Sequence, residues 1–286
     1  MEGTRAGGGG AVNAPAPDLS SGKGHRDENF PVASWILRAR HRAPIMAFYR
    51  FARAADDIAD HPEASADEKL SQLATMRRGL DGLSDGAPQA LALHHVVRAR
   101  NLDPQHGHDL LSAFEQDVTV AWYVRWEDLL DYCRLSAMPV GRFVLDVHGE
   151  DRRLWPANDA LCAALQIINH LQDCRKDYLQ LDRSYIPEHM LDSHGARREE
   201  LGFDRASPDL LAAIRDAADG ARALLVEAKP FAANIRDRRL AAEVRVIQRL
   251  AEDLAERLLR RDPLSQRVHH SKLEAGTLAL RALVAA

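Results

Sequence analysis

Apolar residues recur three and four positions apart along almost the whole chain, the spacing of helices that each bury one face. The pattern predicts helices over residues 31–40, 43–60, 66–82, 88–100, 105–122, 126–148, 157–181, 186–192, 208–228, 230–261 and 267–284. Pro44, Pro62, Pro88, Pro104, Pro156, Pro187, Pro208 and Pro230 lie near the predicted starts, where a residue without an N–H is tolerated. Ser65 and Asp159 are read as local caps. Period-two runs of β-branched residues are nearly absent; Val118-Thr119-Val120 is the best of them and falls inside a helical pattern. The fold class is therefore all-α.

Seven of the seventeen glycines precede residue 25, together with Pro15, Pro17, Ser20 and Ser21, and no apolar periodicity runs through them. Residues 1–27 are read as a disordered tail and residues 28–286 as one helical domain, long enough to bury a large core. The tail lacks the apolar run of a signal peptide, and no later stretch has the length of a membrane span, so a cytoplasmic location is expected. Cys133, Cys162 and Cys174 are odd in number and widely spaced, which fits small buried side chains and not a zinc site or a disulfide framework. With a formal net charge of −4 the chain carries no electrostatic footprint for nucleic acid.

Charge placement inside the helices is more informative. Arg53, Asp56 and Asp60 fall on one stripe with Tyr49, and Gln166, Asn169, Asp173 and Asp177 fall on another, since about 100° separates successive helical residues. Like charges four apart destabilise a helix. An Asp-Asp pair on one helix is ordinarily a solvated face, but each of these stripes follows an apolar stretch, Ile45 to Ala52 in one case and Leu161 to Ile168 in the other. Two such clusters call for a shared cation. Magnesium suits them, because it takes oxygen ligands and is commonly held by a few carboxylates together with substrate phosphates.

The segments that carry this pattern also carry a resemblance. The stretch from Asn29 to Asp60, ending Tyr49-Arg50-Phe51-Ala52-Arg53-Ala54-Ala55-Asp56-Asp57, resembles the first aspartate-rich motif of the squalene and phytoene synthase family. Ala164 through Asp177, followed by Arg183-Ser184-Tyr185-Ile186-Pro187, resembles the second, and Tyr132 through Gly141 resembles the central helix that breaks at small residues. Within the family, Asn29 to Ser34, Ala54 to Asp60 and Leu171-Gln172-Asp173 are most similar to the bacterial hopanoid-pathway branch. Two departures agree with that branch: Arg26-Asp27 stands where many members have His-Ser, and Gln172 stands where they have arginine.

The resemblance implies a single-domain isoprenoid synthase helical bundle with a central cavity. It implies metal ligation by Asp56, Asp60, Asn169, Asp173 and Asp177, a diphosphate contact from Arg53, and substrate contacts from Tyr49, Gln166, Gln172, Phe48 and Phe51. Phe114 and Phe143 are further candidates for an apolar lining. The expected reaction is magnesium-dependent ionisation of presqualene diphosphate with water capture to hydroxysqualene, needing no nicotinamide. Head-to-head coupling of two farnesyl diphosphates, phytoene synthesis, and a non-enzymatic helical protein are the alternatives. A di-iron bundle is excluded because no Glu has His three residues on. Arg267 and Lys272 lie where the family's C-terminal basic residues cap the diphosphate, although Asp262-Pro263 stands where Tyr is common. His94-His95 and His269-His270 are read as surface pairs, since neighbours on a helix point about 100° apart. The substrate class is a prenyl diphosphate; peripheral membrane contact and association with enzymes of the same pathway stay open.

Overall fold

The computed structural model describes residues 38–284, and every regular element among them is helical. The predicted helix over 31–40 and the readings of residues 1–27, Arg26-Asp27 and Asn29–Ser34 lie essentially outside the described residues. In order, the helices are α1 Ala39–Ala59, α2 Ala66–Leu80, α3 Pro88–Arg100, α4 Gln105–Thr119, α5 Trp126–Ser136, α6 Met138–His148, α7 Trp155–Leu181, α8 Glu188–His194, α9 Pro208–Ala228, α10 Phe231–Asn234, α11 Arg238–Arg260 and α12 Lys272–Val284. Short 3-10 turns precede α7 and follow α8.

The differences from the predicted boundaries have local causes. Helix α1 begins before Pro44 and runs through it. A proline there removes the N–H that Arg40 C=O would receive; Arg100 of α3 donates to that carbonyl instead, at 2.9 Å. The predicted helix 126–148 divides at Ala137, one residue into the Ala-Met-Pro-Val-Gly segment, where Pro139 sits in the first turn of α6. The predicted helix 230–261 divides at Ile235–Asp237, because the buried Glu150 carboxylate accepts the backbone N–H groups of Arg236 at 3.0 Å and Asp237 at 2.8 Å. Helix α4 stops at Thr119, and the following extended segment pairs Trp122 with Ser184 in an isolated parallel bridge. Ser65 caps α2 in a capping box with Glu68. Asp159 is not a cap: it lies inside the first turns of α7 and pairs with Arg142 of α6.

Helix α1 packs on α2, α3, α4 and α6, while α7 packs on α5, α6, α9 and α11. The two acidic helices thus belong to different packing groups and share α6 as a principal neighbour. Their apolar faces meet one continuous core that includes Phe51, Leu111, Phe143, Ile168 and Ala217. Gly141 lets α6 lie close on α7, since a Cβ there would fall 2.0 Å from Asn158 Oδ1 and 2.6 Å from Cys162 Sγ. Cys133 and Cys174 are buried and Cys162 is half-buried, all as free thiols, as the sequence pattern suggests. Replacing Gly141 with Ala should cost about 1–3 kcal/mol by forcing these helices apart. A melting temperature unchanged from wild type would show that the close approach does not matter.

Candidate active site

The first acidic segment occupies the C-terminal end of its helix, whereas the second runs through the later half of α7. Asp56 and Asp57 lie in the last turn of α1 and Asp60 is its C-cap; Asp177 lies near the end of α7, and neither helix has a basic residue in its last turn. Carboxylates at a helix C-terminus face the negative end of the helix dipole, so the positions of Asp56, Asp57 and Asp60 add to the repulsion within the first cluster. Something else must supply positive charge.

In the first segment, Arg53 Nη1 donates to Asp56 Oδ2 at 2.8 Å and Nη2 donates to Asp57 Oδ1 at 2.6 Å. The guanidinium expected to reach for a diphosphate is therefore holding two carboxylates of its own helix. Asp60 is met from across the fold: Arg183 Nη1 donates to Asp60 Oδ1 at 2.7 Å and Nη2 donates to Ala59 C=O at 3.3 Å. One side chain thereby pairs with Asp60 and satisfies a carbonyl at the end of α1. Asp182, at φ 52°, turns the chain out of α7 and delivers Arg183 to this place. Asp56 keeps 37% of its side-chain exposure, yet burial within the surrounding protein pushes its carboxyl up to about 7, with Asp60 adding to the shift and Arg53 opposing it.

In the second segment, Asp177 Oδ2 lies 3.5 Å from His170 Nδ1, and His170 Nε2 lies 2.9 Å from Gln166 Nε2. The His170 ring stacks on Tyr185 with centroids 3.4 Å apart. As expected from its angular offset, His170 packs at the edge of the acidic stripe. Tyr185 then connects the segments: its hydroxyl donates to Asp117 Oδ1 at 3.1 Å, and Tyr132 donates to Asp117 Oδ2 at 3.0 Å. From Asp60 the path runs through Arg183, two residues along to Tyr185, then through the stacked His170 to Asp177. Asp117 is buried, and burial pushes its carboxyl up to about 6 while the nearby Arg183 charge opposes that shift. A cavity of about 420 Å³ reaches this junction from outside, lined by Asp60, His61, Lys69, Asp117, Leu179 and Arg183.

Asp117, Arg183, Tyr132 and Tyr185 escaped the choice of site residues. The signal for Asp117 was present: it continues the buried face of α4 through Leu110 and Ala113, an acid on an apolar stripe. Phe48 and Phe51 are core side chains here. Phe48 stacks on Phe143 with centroids 4.2 Å apart, and Phe51 is fully buried at the close approach of α1 to Gly107. Tyr49, Gln166 and Asn169 are half-buried, Phe114 is partly buried against the core, and Gln172 is buried on α7.

The histidine pairs also need correction. His94 Nδ1 lies 2.8 Å from Leu80 C=O and ties α3 to the end of α2. His270 is buried against Asp253 at 2.9 Å, and His269 Nε2 lies 3.6 Å from Asp173 Oδ1. Among the described residues, His41, His148 and Asp237 form a trio whose donor atoms all lie within 4.8 Å of one another. This trio is a joint between helix ends: Asp237 caps α11, His148 reaches Asp237 at 3.2 Å, and His41 stacks on His148 while receiving Arg40 Nε at 2.9 Å. Arg40, and Arg38 at 4.0 Å from Asp237, make it a poor place for a further cation.

The family model of squalene/phytoene synthase matches residues 24–274. A hydroxysqualene synthase of Zymomonas mobilis is 53% identical over 277 residues, covering 96% of this chain and 92% of that protein. A presqualene diphosphate synthase from the same organism is 29% identical and covers 62% of each chain. Among solved structures, a squalene synthase from Alicyclobacillus acidocaldarius superposes with a TM-score of 0.70 at 31% identity, covering 80% of this chain and 87% of that one.

The raised carboxyl of Asp117 has a consequence for stability. The folded chain holds a proton on Asp117 up to about pH 6, whereas the unfolded chain releases it in the ordinary carboxylate range. This contribution to stability is complete below that range and is lost as pH rises through about 6. Between about pH 5 and 7.5, denaturant unfolding should therefore show wild type losing more stability than Asp117→Asn. Identical pH dependence in the two proteins would refute the assignment.

Proposed function

Because the chain belongs to the squalene/phytoene synthase family, we propose that this isoprenoid-processing enzyme ionises presqualene diphosphate and captures water to release hydroxysqualene. The observation that carries the choice of reaction is the contrast between two relatives from one organism. The chain is far more similar, and over more of its length, to the hydroxysqualene synthase than to the presqualene diphosphate synthase. Gln172 in place of an arginine supports the same reading: a neutral amide is a weaker anchor for a second diphosphate, and a reaction of one diphosphate does not need one.

The donors fit a hard divalent cation. Asp56, Asp60, Asn169, Asp173 and Asp177 offer only oxygen or amide groups, the donor set that a hard cation takes. Magnesium held by these residues would supply neutralisation of the diphosphate charge as its bond to carbon breaks. Arg53 and Arg183 keep the carboxylates of the first segment oriented while the anion enters, and His170 does the same for Asp177. Phe48 and Phe143 stack on each other in the core behind the first acidic segment, so their part is to support α1 and not to line the reaction space.

The runner-up is coupling of two farnesyl diphosphates, favoured by the name of the Alicyclobacillus neighbour. Each diphosphate is supplied separately with magnesium, with and without NADPH, in labelled water. Hydroxysqualene bearing solvent oxygen, formed from presqualene diphosphate without NADPH, is the expected product; efficient presqualene diphosphate formation from farnesyl diphosphate would favour the runner-up. Asp56→Asn and Asp173→Asn should each lower turnover by more than about a hundredfold while helical content and melting stay near wild type. Full activity in EDTA would rule out the metal.

A further inference from the structure

The turn between α11 and α12 is built to hold a fixed shape. Asp262 accepts hydrogen bonds from Ala206 N at 3.1 Å, Leu264 N at 2.9 Å and Ser265 Oγ at 2.6 Å, and its own N–H donates to Gln266 Oε1 at 3.0 Å. Val268 is buried, and His270 is anchored on Asp253, which Arg257 also holds at 2.6 Å. Arg257 in turn reaches Glu274 at the start of α12, at 2.9 Å. Everything on this turn is tied down around one side chain that points elsewhere.

That side chain is His269. Its Nε2 lies 3.6 Å from Asp173 Oδ1, too far for a direct hydrogen bond, and both side chains keep about a third or more of their exposure, 33% and 39%. A rigid scaffold thus aims an imidazole nitrogen at the second acidic segment without spending it there. Arg267 and Lys272, both exposed, flank it in sequence. An imidazole with its proton on Nε2 is a hydrogen-bond donor even when neutral.

We propose that His269 is a binding residue for the diphosphate, donating from Nε2 to an anionic oxygen brought next to Asp173. The proposal rests on the reading of this cleft as a diphosphate site and adds a donor from the C-terminal turn, opposite in charge preference to the carboxylates it faces. Its chemical role would be to hold the anion, so its effect should appear in binding before it appears in any rate.

Calorimetric titration of the full chain with inorganic diphosphate and magnesium tests this directly. His269→Ala should weaken diphosphate binding about tenfold, the size expected for losing one hydrogen bond to a charged acceptor. His269→Gln, which can place an amide N–H near the same point, should recover most of the loss. His270→Ala serves as the comparison for the scaffold, because removing the Asp253 anchor should lower the melting temperature whereas His269→Ala should leave it near wild type. Unchanged diphosphate affinity in His269→Ala, or a melting loss equal to that of His270→Ala, overturns the proposal while leaving the diphosphate site intact. Absence of binding in wild type overturns the site reading itself, and this inference with it.

Discussion

Arg183 joins three electrostatic demands in one side chain. It neutralises Asp60, donates to the carbonyl of Ala59 at the end of α1, and lowers the cost of the buried Asp117 carboxylate nearby. The need for it follows from where the acids are. Carboxylates clustered on a helix and partly enclosed by protein raise one another's free energy through mutual repulsion and lost hydration, and at the end of α1 the helix dipole adds to this. A cleft that must keep several of them unprotonated can persist only if fixed cations stand beside them. Arg53 does this within its own helix, and Arg183 does it from the segment after α7, so Arg183 also ties that segment to the end of α1.

The surrounding helices hold that tie in place. Helix α6 packs on both α1 and α7, while α4 packs on α1 and α5 packs on α7. Helix α6 can lie against α7 because Gly141 has no side chain, and it begins at Ala137 because Pro139 suits a first turn and not a helix interior. The short extended segment after α4 then pairs with Ser184 and holds the residues on either side of it, Arg183 and Tyr185, in opposite roles: one faces α1, the other faces Asp117 and His170.

The helices and the acidic segments were legible because their signals are periodic and local. Apolar spacing locates α2, α3 and α9 to within a few residues, and the stripes through Asp56 and Asp173 follow from angular position alone. What was not legible depends on partners distant in sequence. The break before α11 arises from Glu150, more than eighty positions away, and the tolerance of α1 for Pro44 arises from Arg100. His269 looked like half of a surface pair because the prediction ran a helix over 267–284, whereas that stretch begins as a turn and α12 starts only at Lys272. Phe48 and Phe51 show the reverse limit: an aromatic next to an acidic motif reads equally well as cavity lining or as core, and only packing distinguishes them.

The junction of Asp117, Tyr132, Arg183 and Tyr185 also bears on how such a protein can diverge. Each of the four is partnered inside the fold, three of them directly on the same carboxylate or its charge, so changing one leaves another as a buried polar group without its match. Lys176, exposed on α7, can drift singly at modest cost, whereas these four are confined to joint replacement. Descent through intermediates that each lose stability is slow, and this junction should therefore act as an anchor of shared ancestry, outlasting the surfaces by which related enzymes come to prefer different substrates.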